Sequence, residues 1–176
     1  MVISFDPMHQ IHNNENGYLW QRKGKDGTKQ DKANSGRTRL TILGGVDLVS
    51  HQIVPLITES NCDIYLMEVY LEEVKKAYPD AETIVLFLDN ARYQRNYQVQ
   101  EKAKQLGIEL KYLPPYTPNL ALVERIWKFF KKKVIKNSYY HSFQEFWNAV
   151  CSFFEKWDKW LPELESLLSL KFEIIS

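Results

Sequence analysis

The sequence predicts an α/β protein in which helices cover one β-sheet. Short β-branched runs dominate its first part, strand and helix signals alternate in its middle, and helix signals fill its final part. That order is typical of a sheet flanked by helices. At 176 residues, with no internal repeat and no linker-like segment, the chain is expected to form a single domain over residues 1–176.

Four strands and one helix are predicted in the first part of the chain. Short apolar runs rich in β-branched residues are typical of strands. These runs are 2–6, which ends at Asp6-Pro7, 18–22, 39–46 and 51–57. Apolar residues then repeat at helical spacing from Ile64 to Val74, after Ser60-Asn61 and before Pro79-Asp80. This spacing predicts a helix between those two breaks.

The middle of the chain predicts a strand–helix–strand unit. Residues 83–88 are continuously apolar and β-branched, as in a strand buried on both faces, and Asp89-Asn90 ends the run. Residues 96–106 predict a helix closed by Gly107, because glycine readily takes the backbone conformation that ends helices. A further strand at 108–113 stops at Pro114-Pro115.

Three helices are predicted in the final part. A single apolar stripe predicts a helix over 120–136. Ser142, with Glu145 three positions later, forms a capping box that predicts the start of a helix running to about Trp157. A short helix over 162–170 is expected to follow.

Charge and composition exclude several classes of protein. The formal net charge of +1, from 23 basic and 22 acidic residues, does not by itself indicate a nucleic-acid-binding protein. No apolar run is long enough for a membrane helix, and the first residues do not resemble a signal peptide, so we expect a cytoplasmic protein with no membrane partner. Cys62 and Cys151 are too few for a disulfide framework.

Basic residues nevertheless gather in two segments. The first is 21–39 and the second is 128–136. Two local basic clusters on a nearly neutral protein suit a surface that meets phosphates on one side. On charge alone, solvated loop and helix faces explain them equally well.

Three acidic residues stand out by their placement. Asp6 follows the first predicted strand, Asp89 follows the buried strand, and Glu124 lies in the first turns of the helix over 120–136. Ligands bind at the carboxyl ends of strands in open α/β sheets. In isolation each acid also has an ordinary interpretation: an Asp-Pro turn at Asp6, a turn or helix cap at Asp89, and an ion pair between Glu124 and Lys128.

The sequence around these acids resembles a known family. The segments VLFLDNARYQ and LGIELKYLPPYTPNLALVERIWKFFKKK are similar to the second half of the DDE transposase domain of mariner-type bacterial insertion sequences. That family pairs a strand-end Asp in an LDNA setting with a helical Glu, and thirty-four residues separate Asp89 from Glu124 here, the spacing of the family. Its first Asp matches Asp6, which is followed by Gly-Tyr-Leu-Trp at 17–20 and Arg-Lys-Gly-Lys at 22–25.

The resemblance implies a ribonuclease H-like mixed sheet flanked by helices, and it implies that the protein is a metal-dependent enzyme. Asp6, Asp89 and Glu124 would be the catalytic residues and the ligands of two Mg²⁺ ions, for which Mn²⁺ can substitute. Carboxylates are the natural ligands of such cations, and two cations neutralise the attacking and leaving oxygens of a phosphodiester. The implied enzyme is a metal-dependent DNA endonuclease and strand transferase that acts on transposon ends and target DNA, with a homodimer expected on DNA.

The chain departs from the family pattern in two places. Ala121 stands where many insertion-sequence relatives have Asn, a change that mariner-type relatives tolerate. Family members carry amino-terminal helix-turn-helix modules, and none precedes Asp6 here. We therefore expect that a separately encoded or frameshift-fused half recognises the element ends. The alternatives are a catalytically inactive fragment that binds DNA or full-length transposase as a regulator, and another ribonuclease H-like nuclease, which the segment around Glu124 disfavours.

Several basic residues are candidate DNA contacts. A role in holding phosphates near the metals competes with solvated helix faces, and, for the residue just after Asp89, with capping or packing. The candidates are Arg22, Lys23, Lys25, Arg92, Lys128, Lys131 and Lys132. The indole of Trp127 is more typical of a core residue than of a platform for nucleobases.

Overall fold

The computed structural model describes residues 1–12, 38–114, 122–136 and 138–168. Strands and helices follow one another in the order β1–β2–β3–α1–β4–α2–β5–α3–α4–α5 within these residues. The strands are β1 (Val2–Ile11), β2 (Arg39–Asp47), β3 (Ile53–Thr58), β4 (Ile84–Leu88) and β5 (Ile108–Tyr112). The helices are α1 (Ile64–Ala77), α2 (Tyr97–Gln105), α3 (Leu122–Phe130), α4 (Phe143–Glu155) and α5 (Trp157–Leu168).

The five strands form one mixed sheet in the order β3-β2-β1-β4-β5. β1 and β3 are both antiparallel to β2, whereas β1, β4 and β5 are mutually parallel. The first strand along the chain is therefore the central strand of the sheet. The predicted α/β class, with a mixed sheet flanked by helices, is confirmed.

The first strand is longer than predicted. We expected it to end at Asp6-Pro7, but β1 pairs with β2 as far as Ile11 opposite Arg39. Its pairing with β4 covers only Val2 to Ser4 in the described part of the chain. Among the described strands, β1 thus has a single hydrogen-bonded neighbour at Pro7, the kind of position at which a strand tolerates proline. As a result, Asp6 is in the middle of a strand rather than in a turn.

Helices cover both faces of the sheet and create two hydrophobic cores. α1 and α2 pack on one face, where Leu71 and Val99 join Leu86 of β4 in the core. α3, α4 and α5 pack on the other, where Trp127 and Phe153 join Ile42 of β2. None of the helices in the described ranges is long and apolar enough to cross a membrane.

Helix boundaries differ from the sequence predictions in three places. α1 begins after Asp63, whose carboxylate accepts the Leu66 backbone N–H at 2.8 Å, and not at Ser60-Asn61. The helix after Glu124 is not uniform, because a π-helical turn (Lys131–Ile135) follows α3. α5 begins at Trp157 and includes Pro162, which was expected to start it. The predicted strand at 18–22 lies outside the described residues.

Candidate active site

Two of the predicted acidic residues lie at the same level of neighbouring strands. The last pair between β1 and β4 is Ser4 with Phe87, and Asp6 and Asp89 each come two residues later. Because side chains alternate along a strand, Asp6 and Asp89 continue the same face of the sheet. Asp6 is half-buried, and Asp89 is exposed just past the carboxyl end of β4.

The third predicted acid reaches this region on α3. Trp127 is buried against β1 and β2, and its indole N–H donates to a carboxylate oxygen of Asp6 at 3.0 Å. Glu124 lies three residues earlier, hence on a neighbouring part of the same helix face, and its side chain is exposed. The indole therefore links the helix that carries Glu124 directly to the strand that carries Asp6.

The electrostatics of Asp6 connect all three carboxylates. The pKa of Asp6 is raised to about 7, above all because burial penalises its charged form. The hydrogen bond from Trp127 opposes this rise, whereas the negative charges of Asp89 and Glu124 increase it further. The structure thus brings the three predicted acids into one electrostatic neighbourhood, with Asp6 as the most buried.

A glycine makes the contact between Trp127 and Asp6 possible. Gly44 pairs with Asp6 across β1 and β2. A Cβ atom at position 44 would lie 2.5 Å from Cη2 and 2.8 Å from Cζ2 of Trp127, which is closer than atoms approach without displacement. Our sequence analysis missed Gly44, although the Gly44-Gly45 pair inside a predicted strand signals a close approach of another group.

Backbone and side-chain hydrogen bonds fix the loop that carries Asp89. The Ala91 N–H donates to Asp89 Oδ1 at 3.2 Å, so Asp89 also stabilises the turn after β4, which was its ordinary interpretation from the sequence. Asn90 donates from its amide to the Leu113 carbonyl oxygen at 2.6 Å and accepts a hydrogen bond from Arg95. These bonds tie the ends of β4 and β5 together beside the acidic residue.

The donor set suits a hard divalent cation. Aspartate and glutamate oxygens are the preferred ligands of Mg²⁺ and Mn²⁺, and a cation relieves the mutual repulsion that contributes to the raised pKa of Asp6. Within the described residues, however, no three Asp, Glu, His or Cys side chains form a ready-made metal cluster. The chemistry of the three carboxylates fits the expected ions, and their spacing in this conformation is looser than a ligand shell.

The candidate DNA contacts fall into two sets. Arg22, Lys23 and Lys25 lie outside the described residues. Arg92 is exposed in the loop after Asp89. Lys128, which lies one helical turn after Glu124, is also exposed. Lys132 is exposed as well, whereas Lys131 is half-buried. The ion pair between Glu124 and Lys128 is absent from the described pairs, which join Lys76–Glu73, Lys102–Glu72, Lys111–Glu109 and Lys133–Glu163.

Comparison with protein families decides the family of the chain. The sequence model described as DDE superfamily endonuclease matches residues 1–146, which include Asp6, Asp89 and Glu124. The chain belongs to this family. The DDE endonuclease match begins one residue before β1 and ends in α4, so it covers all five described strands and the helix that contacts them through Trp127.

Similar proteins support the fold of this DDE endonuclease. A Mos1 transposase paired-end complex with the left transposon end superposes with a TM-score of 0.63 at 12% identity, covering 93% of this chain and 55% of that chain. The Mos1 transposase catalytic domain with raltegravir and Mg gives 0.57 at 10% identity, covering 93% and 83%. An uncharacterised protein of Sinorhizobium fredii (strain NBRC 101917 / NGR234), y4pE/y4sA, is 27% identical over 110 residues, 62% of this chain and 76% of its own length.

These similarities establish the expected ribonuclease H-like fold. The mixed five-stranded sheet with helices on both faces corresponds to that of the Mos1 transposase. The chain spans about half the length of the Mos1 chains in the DNA complexes.

Proposed function

We propose that this protein is the catalytic part of a DDE transposase, which cleaves DNA with divalent metal ions and joins the freed strand to target DNA. The observation that carries the proposal is the position of Asp6, a carboxylate with a pKa near 7 that is influenced by both Asp89 and Glu124. The match to the DDE endonuclease family over these three residues supports it.

The three carboxylates would hold Mg²⁺ ions, and Mn²⁺ would substitute for them. When bound, such ions supply an activated water and neutralise the charge that develops on the attacking and leaving oxygens. Asp6 is the internal ligand, because its carboxylate is half-buried and oriented by Trp127. Asp89 and Glu124 are exposed, and so they face the side from which a DNA phosphate would approach.

Basic residues near the carboxylates would hold the DNA backbone. Arg92 follows Asp89 in the same loop, and Lys128 follows Glu124 by one helical turn. Charge-assisted contacts to phosphates position a DNA strand without reading its sequence. In this proposal, recognition of the transposon ends belongs to a helix-turn-helix half supplied by a separate reading frame or by fusion, and two copies of the catalytic part meet on DNA.

Cleavage of supercoiled plasmid tests the proposal. We expect the wild-type chain to nick plasmid in Mn²⁺ or Mg²⁺ and to be inactive in EDTA. Asp89→Asn and Glu124→Gln should abolish nicking while the circular dichroism spectrum and melting temperature stay close to those of the wild type, because both side chains are exposed. Glu101→Gln is the matched control, since it removes an exposed carboxylate on α2, on the opposite face of the sheet from α3.

The same experiment separates the enzyme from a regulatory fragment. Full nicking activity in Asp89→Asn or Glu124→Gln would refute the roles given to these residues. A wild-type chain that binds DNA without metal-dependent nicking would favour the inactive fragment. Electron paramagnetic resonance of Mn²⁺ provides an independent readout, because the signal of free Mn²⁺ should fall with the wild type and much less with Asp89→Asn.

A further inference from the structure

A second feature of the active-site edge is an open cleft beside Asp89. α1 leads into β4 and α2 leads out of it, so both helices begin near the carboxyl end of that strand. Their first residues and the loop after Asp89 enclose a cleft of about 790 Å³, which lies within the usual range of roughly 300–1,000 Å³ for ligand sites. Cys62 and Tyr93 line the cleft; burial raises the pKa of each, and the nearby charge of Asp89 adds to the rise.

The inner wall of the cleft is polar but uncharged. Cys62 and Tyr93 are both partly buried, and burial is the main reason why the pKa of each side chain lies above its ordinary value. Gln94 is fully buried and donates to the Tyr93 hydroxyl at 3.3 Å, which restrains the Tyr93 side chain. At neutral pH this wall therefore offers a rigid aromatic ring and a neutral thiol.

The mouth of the cleft carries an exposed aromatic ring and a planar cation. Tyr65, the second residue of α1, is 73% exposed, and Arg92, which is also exposed, lines the cleft with it. Both types of side chain stack on flat aromatic ligands. Asn96 and Gln98 contribute amide groups, which form hydrogen bonds with the edges of such ligands.

The charges of the cleft argue against a phosphate as its occupant. Asp63 and Glu68 line it together with Arg92, so carboxylates outnumber cations even before Asp89 is counted. A flat, uncharged ligand with polar edges fits these walls, and a nucleobase has this chemistry. Within duplex DNA the faces of a base are covered by its stacked neighbours, so only an unpaired or extruded base can use an aromatic platform.

We infer that this cleft holds an unpaired nucleobase of the DNA strand that lies at Asp89, with Tyr65 and Arg92 as the stacking groups. The inference rests on the proposed function, because it assumes that a DNA strand reaches Asp89. It adds a binding site for one base next to the scissile phosphate. It also assigns to Arg92 contact with a base rather than with the backbone alone.

The chain offers a closely matched control. Tyr97, the first residue of α2, is 72% exposed, almost the same as Tyr65, but it is not among the residues that line the cleft. Tyr65→Ala and Tyr97→Ala therefore remove equal rings from equally exposed helix starts. Tyr65→Phe keeps the ring and removes only the hydroxyl.

The inference is tested by the affinity of the protein for a fluorescein-labelled oligothymidylate. Fluorescence anisotropy measures this affinity, with Ca²⁺ in place of a catalytic metal. We expect Tyr65→Ala to weaken this binding about five- to tenfold, the effect of losing one stacked base, and to weaken binding of a short duplex less than about twofold. Tyr97→Ala and Tyr65→Phe should bind both probes like the wild type. Equal effects of Tyr65→Ala and Tyr97→Ala, equal losses on both probes, or no binding of oligothymidylate by the wild type would overturn the inference.

A cross-link locates the base directly. Oligothymidylate with one 5-iodouracil should form a photo-cross-link that mass spectrometry maps to Tyr65 or Tyr93, and a cross-link confined to other elements would contradict the inference. Plasmid nicking by the wild type and by Asp89→Asn is measured in parallel. If Tyr65→Ala binds oligothymidylate like the wild type and the wild type nicks plasmid, the base site alone is refuted. If Tyr65→Ala weakens binding of oligothymidylate but the wild type does not nick plasmid, the proposed catalysis is refuted and the base site stands.

Discussion

Replacement of Gly44 by alanine should disturb the candidate active site through a single methyl group. The new Cβ would lie 2.5 Å from Cη2 of Trp127, whereas carbon atoms in contact are about 3.5–4.0 Å apart. The indole must therefore retreat by about 1 Å. It is almost fully buried among the helices of its face, so the retreat displaces neighbours and stretches its hydrogen bond to Asp6.

The expected cost follows from these contacts. Overpacking a core costs about 1–3 kcal/mol, and a hydrogen bond to a charged group contributes about 1.5–3 kcal/mol. The two effects overlap because the same shift of Trp127 causes both. We expect Gly44→Ala to lower the free energy of unfolding by about 2–3 kcal/mol and the melting temperature by about 4–12 °C for a chain of this size.

Gly45 provides the control on the opposite face of the sheet. A Cβ at position 45 would clash with the Tyr70 hydroxyl oxygen and lie 2.8 Å from Cγ2 of Ile3, and Tyr70 is fully buried. Gly45→Ala should therefore destabilise the fold to a similar extent without touching Trp127 or Asp6. Urea denaturation measures both losses, and plasmid nicking and Mn²⁺ affinity are then compared at a temperature at which both variants are folded.

Under those conditions only Gly44→Ala should lose Mn²⁺ affinity and nicking. The double variant Gly44→Ala/Trp127→Phe should recover part of the stability, because a phenyl ring lacks the two atoms that the new methyl group would strike. The reasoning fails if Gly44→Ala binds Mn²⁺ as tightly as the wild type, or if Gly45→Ala impairs metal binding equally.

Three further predictions concern the same region and one helix end. Metal-free protein should lose stability as the pH rises from about 4 to 7, because the pKa of Asp6 is raised from 3.8 to about 7 and the native state keeps a proton that the unfolded chain has released. Urea denaturation should find Asp6→Asn about 2 kcal/mol more stable than the wild type at pH 8, roughly half of the full effect because the side chain is partly exposed. A steeper pH dependence of the stability in Asp6→Asn than in the wild type would contradict this. Trp127→Phe removes the hydrogen bond that lowers the pKa of Asp6, so nicking should fall at pH 7 and recover partly at higher pH, whereas a pH-independent loss would indicate a packing role alone. Ser142→Ala removes the side chain that accepts the Glu145 N–H at 3.1 Å and should cost about 1 kcal/mol in thermal unfolding with unchanged nicking, which a loss of activity in the folded protein would disprove.

Local sequence patterns predicted the strand before Asp89, because the residues that determine where this strand ends are adjacent in the sequence. A continuous apolar run that ends in Asp89-Asn90 has few interpretations other than a buried strand followed by a turn, and β4 (Ile84–Leu88) ends there. Ser142 was likewise identified as a cap, because the residues of a capping box are neighbours in sequence. The placement of Asp89 at the carboxyl edge of the sheet followed from these local signals.

The failures have a common physical cause, which is that distant partners decide them. From the local sequence, Pro7 predicts the end of a strand, but β1 continues beyond Pro7 because it stays paired with β2. The hydrogen bond between Trp127 and Asp6 joins residues 121 positions apart, so no window of sequence contains both. We assigned Trp127 to the core, which is correct, but its polar end has a role that only the packing of α3 on β1 reveals.

The central position of β1 has a consequence for the synthesis of the protein. β1 obtains its parallel neighbour only when β4 has been made, and the indole that donates to Asp6 is made later still, on α3. Pairings between such distant segments form slowly, and they form late in translation. A nascent chain would therefore lack the assembled candidate site until α3 has been made, and a chain truncated before α3 would lack it altogether.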